Sequence, residues 1–79
     1  MNMKKEDICN LILNERIKQD NKWGEQNHHI YKWLAILGEE VGEANQAALE
    51  DNESELIDEL IQIAAVSVAM IESIKRNNK

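Results

Sequence analysis

Apolar positions recur with helical spacing in three stretches of the chain, and nowhere does a period of two last long enough to read as a strand. In the clearest stretch Ile30, Trp33, Leu34, Leu37, Val41, Ala44 and Ala48 form a continuous stripe. It predicts a helix over 30–50, about 30 Å long at the helical rise. Before it, Ile8, Leu11, Ile12 and Glu15 share one face of an expected helix over 4–20, with Ile17 an apolar outlier. A third helix is expected over 53–76. Asn52 is placed as its N-cap with Glu55 as capping partner, and Lys75 and Arg76 suit the negative end of its dipole. Its middle, IDELIQIAAVSVAMI, is apolar around most of the circumference, so it is expected to be buried on more than one side.

The segment NKWGEQNHH between the first two helices reads as a loop, which places Trp23 outside helical structure. The link DNE between the second and third is so short that those helices should be antiparallel neighbours. No internal repeat or low-complexity stretch is present. The expectation is an all-α fold: one domain over 1–79, a small three-helix bundle completed by oligomerisation.

Composition sharpens this. A lone chain of 79 residues buries only about 60–65% of its extended surface, so staples or partners usually make up the difference. Cys9 is the only cysteine, which excludes an internal disulfide, and no Cys/His spacing suits structural zinc. The longest run without a charge is twelve residues, Leu60 to Ile71, too short to span a bilayer. The start MNMKKEDICN has no apolar core followed by a cleavage site, so a cytoplasmic location is expected. Nine Lys and Arg against fifteen Asp and Glu give a net charge of −6, and the basic residues are scattered. That sign and scatter argue against nucleic acid as a partner.

The acidic residues are not scattered. LGEEVGEA carries Glu39, Glu40 and Glu43 at spacings that allow all three near one helix face. In the third helix Glu55, Asp58, Glu59 and Gln62 form a single polar stripe flanked by Leu56, Leu60, Ile63 and Ala64. Carboxylates at packed positions are costly unless paired or bound to metal. If the two helices are antiparallel, Glu43 and Glu59 lie at similar heights from the turn and face each other. Oxygen-only ligands favour Mg²⁺ or Mn²⁺, and Mg²⁺ commonly accompanies a phosphate substrate. The competing reading is a solvated acidic face. Helix-dipole preference explains Glu53 and Glu55 but not the residues farther along. Gly38 and Gly42 bracket Glu39 and Glu40, either for a close helix crossing or as room for a ligand.

EEVGE, a fifteen-residue spacer and an ExxD-like turn, with ERIKQDNKWGEQNH upstream and ELIQIAAVSVAMIE downstream, resemble the MazG-like nucleotide pyrophosphohydrolases. This is the all-α NTP pyrophosphatase superfamily, and the likeness is to its short phage and prophage members. It spans about residues 15–72. The resemblance implies Mg²⁺-dependent hydrolysis of nucleoside triphosphates, including deoxy or noncanonical forms, to monophosphate and pyrophosphate by a homodimer or homotetramer. Carried over by position, Glu40 and Glu43 would be metal ligands, and Glu39 would be a ligand or would orient the attacking water. Aligning on the apolar run puts Glu59 at the motif's Glu and Gln62 at its Asp. Aligning on the literal ExxD gives Glu55 and Asp58 instead. Under the first alignment Gln62 departs from the motif, since an amide is a weaker ligand for a hard cation, and Asp58 is the residue on the same stripe that could compensate.

The same resemblance calls for groups that hold phosphates and a base. Arg16, Lys18, Lys22 and Lys32 are the basic candidates. Trp23 could stack on a base, Trp33 is better explained by core packing, and Gln19, Gln26 and Asn27 could read base edges. His28 and His29 are adjacent, which suits loop residues better than a metal pair, with His28 a candidate near a phosphate. Cys9 lacks an activating base and is not expected to act as a nucleophile. Two further readings stand beside the enzyme: a catalytically weak nucleotide- or metal-binding relative, and an acidic helical interaction module.

Overall fold

The computed structural model describes residues 2–77 and contains three helices, α1 (Lys5–Trp23), α2 (Ile30–Leu49) and α3 (Glu53–Asn77), with no strand among the described residues. The fold is a small all-α bundle. No described helix is long and apolar enough to cross a membrane.

The helix ends follow from local chemistry. The Asp7 carboxylate accepts from the Lys4 backbone N–H at 3.0 Å and closes the start of α1. α1 runs on to Trp23 and stops at Gly24, whose φ of 72° suits glycine and whose N–H donates to the Asp20 carbonyl at 2.8 Å. This corrects the expected boundary: Trp23 belongs to the last turn of α1, because the stop signal is Gly24 rather than the polar residues before it. His29 caps α2, its Nδ1 accepting from the Tyr31 N–H at 3.1 Å. The Glu55 N–H donates to Asn52 Oδ1 at 3.1 Å, as the cap reading of Asn52 requires. The return bond runs between side chains, Asn52 Nδ2 to the Glu55 carboxylate at 3.0 Å. The Asn52 N–H itself donates to the Ala47 carbonyl at 2.9 Å, which tightens the turn between α2 and α3.

That turn makes α2 and α3 antiparallel, with Trp33 meeting Val66 and Ala69 at one end and Glu43 close to Glu59 toward the other. α1 packs on a different face of α3, and α1 and α2 make no close backbone approach among the described residues. Gln19 Nε2 donates to Gln62 Oε1 at 3.2 Å, and Arg16 donates to Glu72 through Nη2 at 2.8 Å and Nε at 3.2 Å. α3 is therefore the central helix, in contact with both others.

The core is thin. Among the described residues, Trp33 is the one large buried side chain, joined by Val66 and four alanines, Ala44, Ala47, Ala65 and Ala69. Ile36, Leu37 and Met70 pack partly against it. α1 has no fully buried residue. Leu11, Ile12 and Glu15 of its expected inner face are half-buried, whereas Ile8 is exposed. Much of the stripe expected to cover α2 also faces outward, including Ile30, Leu34 and Val41.

Candidate metal centre

Three carboxylates from two helices meet on the α2–α3 seam. Glu40 and Glu43, one turn apart on α2, converge with Glu59 of α3, and one oxygen of each lies within 4.8 Å of the others. The short turn sets this register, since Glu43 and Glu59 lie at comparable distances from it along two antiparallel helices. Glu40 and Glu59 are half-buried and Glu43 is exposed.

The electrostatics are unfavourable as the side chains stand. Glu59 Oε2 is buried and has no hydrogen-bond partner. Desolvation first, and then Glu40, raises the Glu59 carboxyl above its ordinary range, partly offset by a hydrogen bond with Glu43. The Glu43 carboxyl is raised chiefly by that bond and by the charge of Glu59, with lesser contributions from desolvation and Glu39. Two carboxylates can hydrogen-bond only by sharing a proton, so the cluster gains a proton more readily than an isolated glutamate does. A divalent cation relieves the same crowding without the proton. The all-oxygen donor set suits a hard cation such as Mg²⁺ or Mn²⁺, and the orphaned Glu59 oxygen is the atom that most needs one.

The other acidic and amide residues go elsewhere. Glu39 is exposed, outside the trio but close enough to act on Glu43. Glu55 is engaged with the Asn52 cap. Asp58 is exposed and borders a groove with Glu15 and Lys18 on the α1 side of α3. Gln62 also turns toward α1, to Gln19. Neither Asp58 nor Gln62 joins the trio.

The residues considered for substrate do not gather in one place: Arg16 and Gln26 border a cavity at the other end of the seam, whereas Gln19, Lys22 and Trp23 border a separate groove with Gln62. A cavity of about 350 Å³ is bordered by Arg16, Asp20, Gln26, Trp33, Glu72 and Arg76. Arg16 does not offer its charge freely. Its Nη1 donates to Gln19 Oε1 at 3.0 Å, and its Nη2 pairs with Asp20 and Glu72 at 2.8 Å each. Burial opposes its charge, but the two carboxylates outweigh that and hold it above its ordinary value. Lys18 pairs with Glu15 at 3.7 Å. The Lys22 ammonium sits 4.8 Å from the centre of the exposed Trp23 ring, on the surface rather than in the cavity. His28 packs edge-on against Trp33 with ring centres 4.8 Å apart. Trp33 is 3% exposed, consistent with a core role, yet its indole Nε1 has no acceptor.

Sequence reasoning did not anticipate the role of Arg76. Its guanidinium donates to the Gln26 carbonyl and to Asn27 Oδ1, both at 3.0 Å, and pairs with Glu25 at 3.4 Å. It thereby ties the α1–α2 linker to the end of α3. The helix-dipole argument accounts for a basic residue there but carries no information about a partner fifty positions away. Compared with known protein families, with curated proteins and with solved structures, the chain finds no match.

Proposed function

We propose that this chain binds Mg²⁺ or Mn²⁺ through Glu40, Glu43 and Glu59 and hydrolyses a nucleoside triphosphate to the monophosphate and pyrophosphate. One observation carries the reading: three carboxylates converge within 4.8 Å around a buried Glu59 oxygen that lacks a partner. The likeness of EEVGE and the Glu59 turn to the MazG-like pyrophosphohydrolases supplies the reaction class. A cation held there would neutralise phosphate charge and polarise a phosphoryl oxygen. The chain's own residues then have separable tasks. Glu40, Glu43 and Glu59 hold the charge in place. Glu39, exposed beside them, accepts a proton from, or orients, the water that attacks the phosphorus. The cavity at Trp33 is the place for the nucleoside. Trp33 and Glu40 are seven residues apart on α2, about 10 Å along its axis, which leaves room for a phosphate chain between the two sites. With Arg16 and Lys18 already paired, the phosphate charge is left mainly to the cation.

The test pairs binding with turnover. Mn²⁺ titration should show a site that Glu43→Gln and Glu59→Gln abolish. A panel of NTPs and dNTPs with Mg²⁺ should show pyrophosphate release that the same variants lose. Absence of Mn²⁺ binding to the wild-type chain refutes the site. Binding without turnover supports the second reading, a metal-binding relative of weak or no activity. Gln62 favours that reading, because its amide bonds to Gln19 where a further carboxylate ligand was expected.

A further inference from the structure

We propose that residues 25–28, between α1 and α2, form a lid over Trp33 that is latched to the end of α3 by Arg76. Only the identity of what enters beneath the lid, a nucleoside, rests on the function proposed above.

The segment is fastened at one place. Gly24 ends α1 and His29 caps α2. Between them no backbone group bonds to another backbone group among the described residues. Every hydrogen bond that joins 25–28 to the rest of the described chain ends on Arg76 or Asn77. Arg76 Nη2 donates to the Gln26 carbonyl and to Asn27 Oδ1 at 3.0 Å each. Arg76 Nε donates to Asn27 Oδ1 at 3.2 Å, and Asn77 Nδ2 donates to the same oxygen at 2.9 Å. The Arg76 guanidinium also pairs with Glu25 at 3.4 Å. The remaining bond of the segment is internal, from Asn27 Nδ2 to Glu25 Oε2 at 3.1 Å.

What the segment covers is Trp33. His28 lies edge-on against the indole, with ring centres 4.8 Å apart. Glu25 and Gln26 border the cavity of about 350 Å³ that they share with Arg16, Trp33, Ala69 and Glu72. That volume is in the range of small-molecule sites. A movement of 25–28 away from α3 therefore widens the cavity and uncovers Trp33 in one step.

The closed position is balanced rather than locked. The Arg76 and Glu25 side chains are 34% and 61% exposed, so their bonds compete with water. Closure also leaves the Trp33 indole N–H buried without an acceptor. That cost disappears when the N–H meets water or an acceptor on an entering molecule. The two effects are of similar size and opposite sign. Gly24 supplies a hinge, at a φ of 72° with no group within 4 Å of the place a Cβ would occupy.

Exchange of the two indole N–H protons with water, followed by NMR without nucleotide or cation, tests the lid. The lid can therefore fail while the cation site stands, and stand while that site fails. Exposed Trp23 is the fast reference. In the wild type the Trp33 indole N–H should be less protected than the backbone amides around buried Val66 and Ala69, because the lid opens without unfolding the bundle. Arg76→Met should speed its exchange about tenfold and leave those amides unchanged. Arg76→Lys keeps the pair with Glu25 but loses the forked bonds, so it should fall between. Asn27→Ala should also speed exchange. Combined with Arg76→Met it should give less than the product of the single effects, because both break one latch. Trp33 exchange as protected as that of the amides, no response to Arg76→Met, or a rise shared by the amides each overturns the proposal. The last result would make Arg76 a staple of the whole bundle.

Discussion

Replacing Glu59 by glutamine should stabilise the cation-free protein and destabilise it relative to wild type once a divalent cation is present. The magnitude comes from the geometry. Glu59 and Glu40 bring carboxylate oxygens within 4.8 Å of each other. At that separation two like charges repel by about 1 kcal/mol in water's dielectric and about 3.5 kcal/mol at an effective dielectric of 20. Both residues are half-buried on an open seam, so the lower figure is the relevant one. The change to glutamine keeps the volume, removes the charge and adds an amide N–H that can donate to either neighbour. A gain of about 1 kcal/mol raises Tm by about 4–8 °C in a domain of this size. Cation binding reverses the order. At a cation concentration ten times Kd the wild type gains about 1.4 kcal/mol and the variant little.

Thermal unfolding in chelator and again with Mg²⁺ or Mn²⁺ reads both effects. The signature is a crossing, with the variant higher in chelator and the wild type higher with cation. A variant that melts below wild type in chelator would refute the claim that Glu59 is held in repulsion. Equal melting of the two proteins at every cation concentration would refute the site itself.

The pH dependence follows with its sign fixed by the raised carboxyls of Glu43 and Glu59. Stability from their protonation is full below the ordinary glutamate value of 4.5 and is lost as pH rises through the higher folded values, so in chelator the wild type should melt lower at pH 8 than at pH 5 by more than Glu59→Gln does. The stabilisation conferred by cation should run the other way and be larger at pH 8, because protons compete for the same oxygens. Arg16→Met removes the bonds that hold α1 to Glu72 and should cost about 1–2 kcal/mol in urea unfolding, the half-exposed carboxylates limiting the loss; an unchanged midpoint would show that α1 docks without it. Asn52→Ala removes the cap of α3 and should cost about 1 kcal/mol, and hydrogen exchange should rise first at the start of α3.

The parts of this protein legible in its sequence are those that depend on local rules. The stripe from Ile30 to Ala48, the Asn52 cap and the short DNE link fix α2, α3 and their antiparallel pairing. The approach of Glu43 to Glu59 follows from those three alone. What was not legible depends on α1. Its apolar stripe is short and nothing in it is fully buried, so the sequence carries little information about which side of α3 it covers. The direction of Gln62 and Asp58 hangs on that placement. Read as part of one acidic stripe with Glu59, both in fact lie on the α1 side, because a helix turns about 100° per residue and α3 has neighbours on two sides. The extent of α1 is hidden in the sequence for a different reason. Asn21 and Lys22 look like loop residues, but they can finish a helix, and only the positive φ at Gly24 shows where the chain must leave it.

The carboxylate cluster works against a small core. A core built from Trp33, Val66 and alanines is small, and the cluster subtracts from it whenever no cation or proton is present. An apolar residue at position 59 would remove that cost, since Leu56, Leu60 and Ile63 flank it on α3. Glu59→Leu should therefore raise Tm in chelator and abolish the Mg²⁺-induced rise. A Mg²⁺-induced rise that survives in Glu59→Leu would show that the ion is held elsewhere.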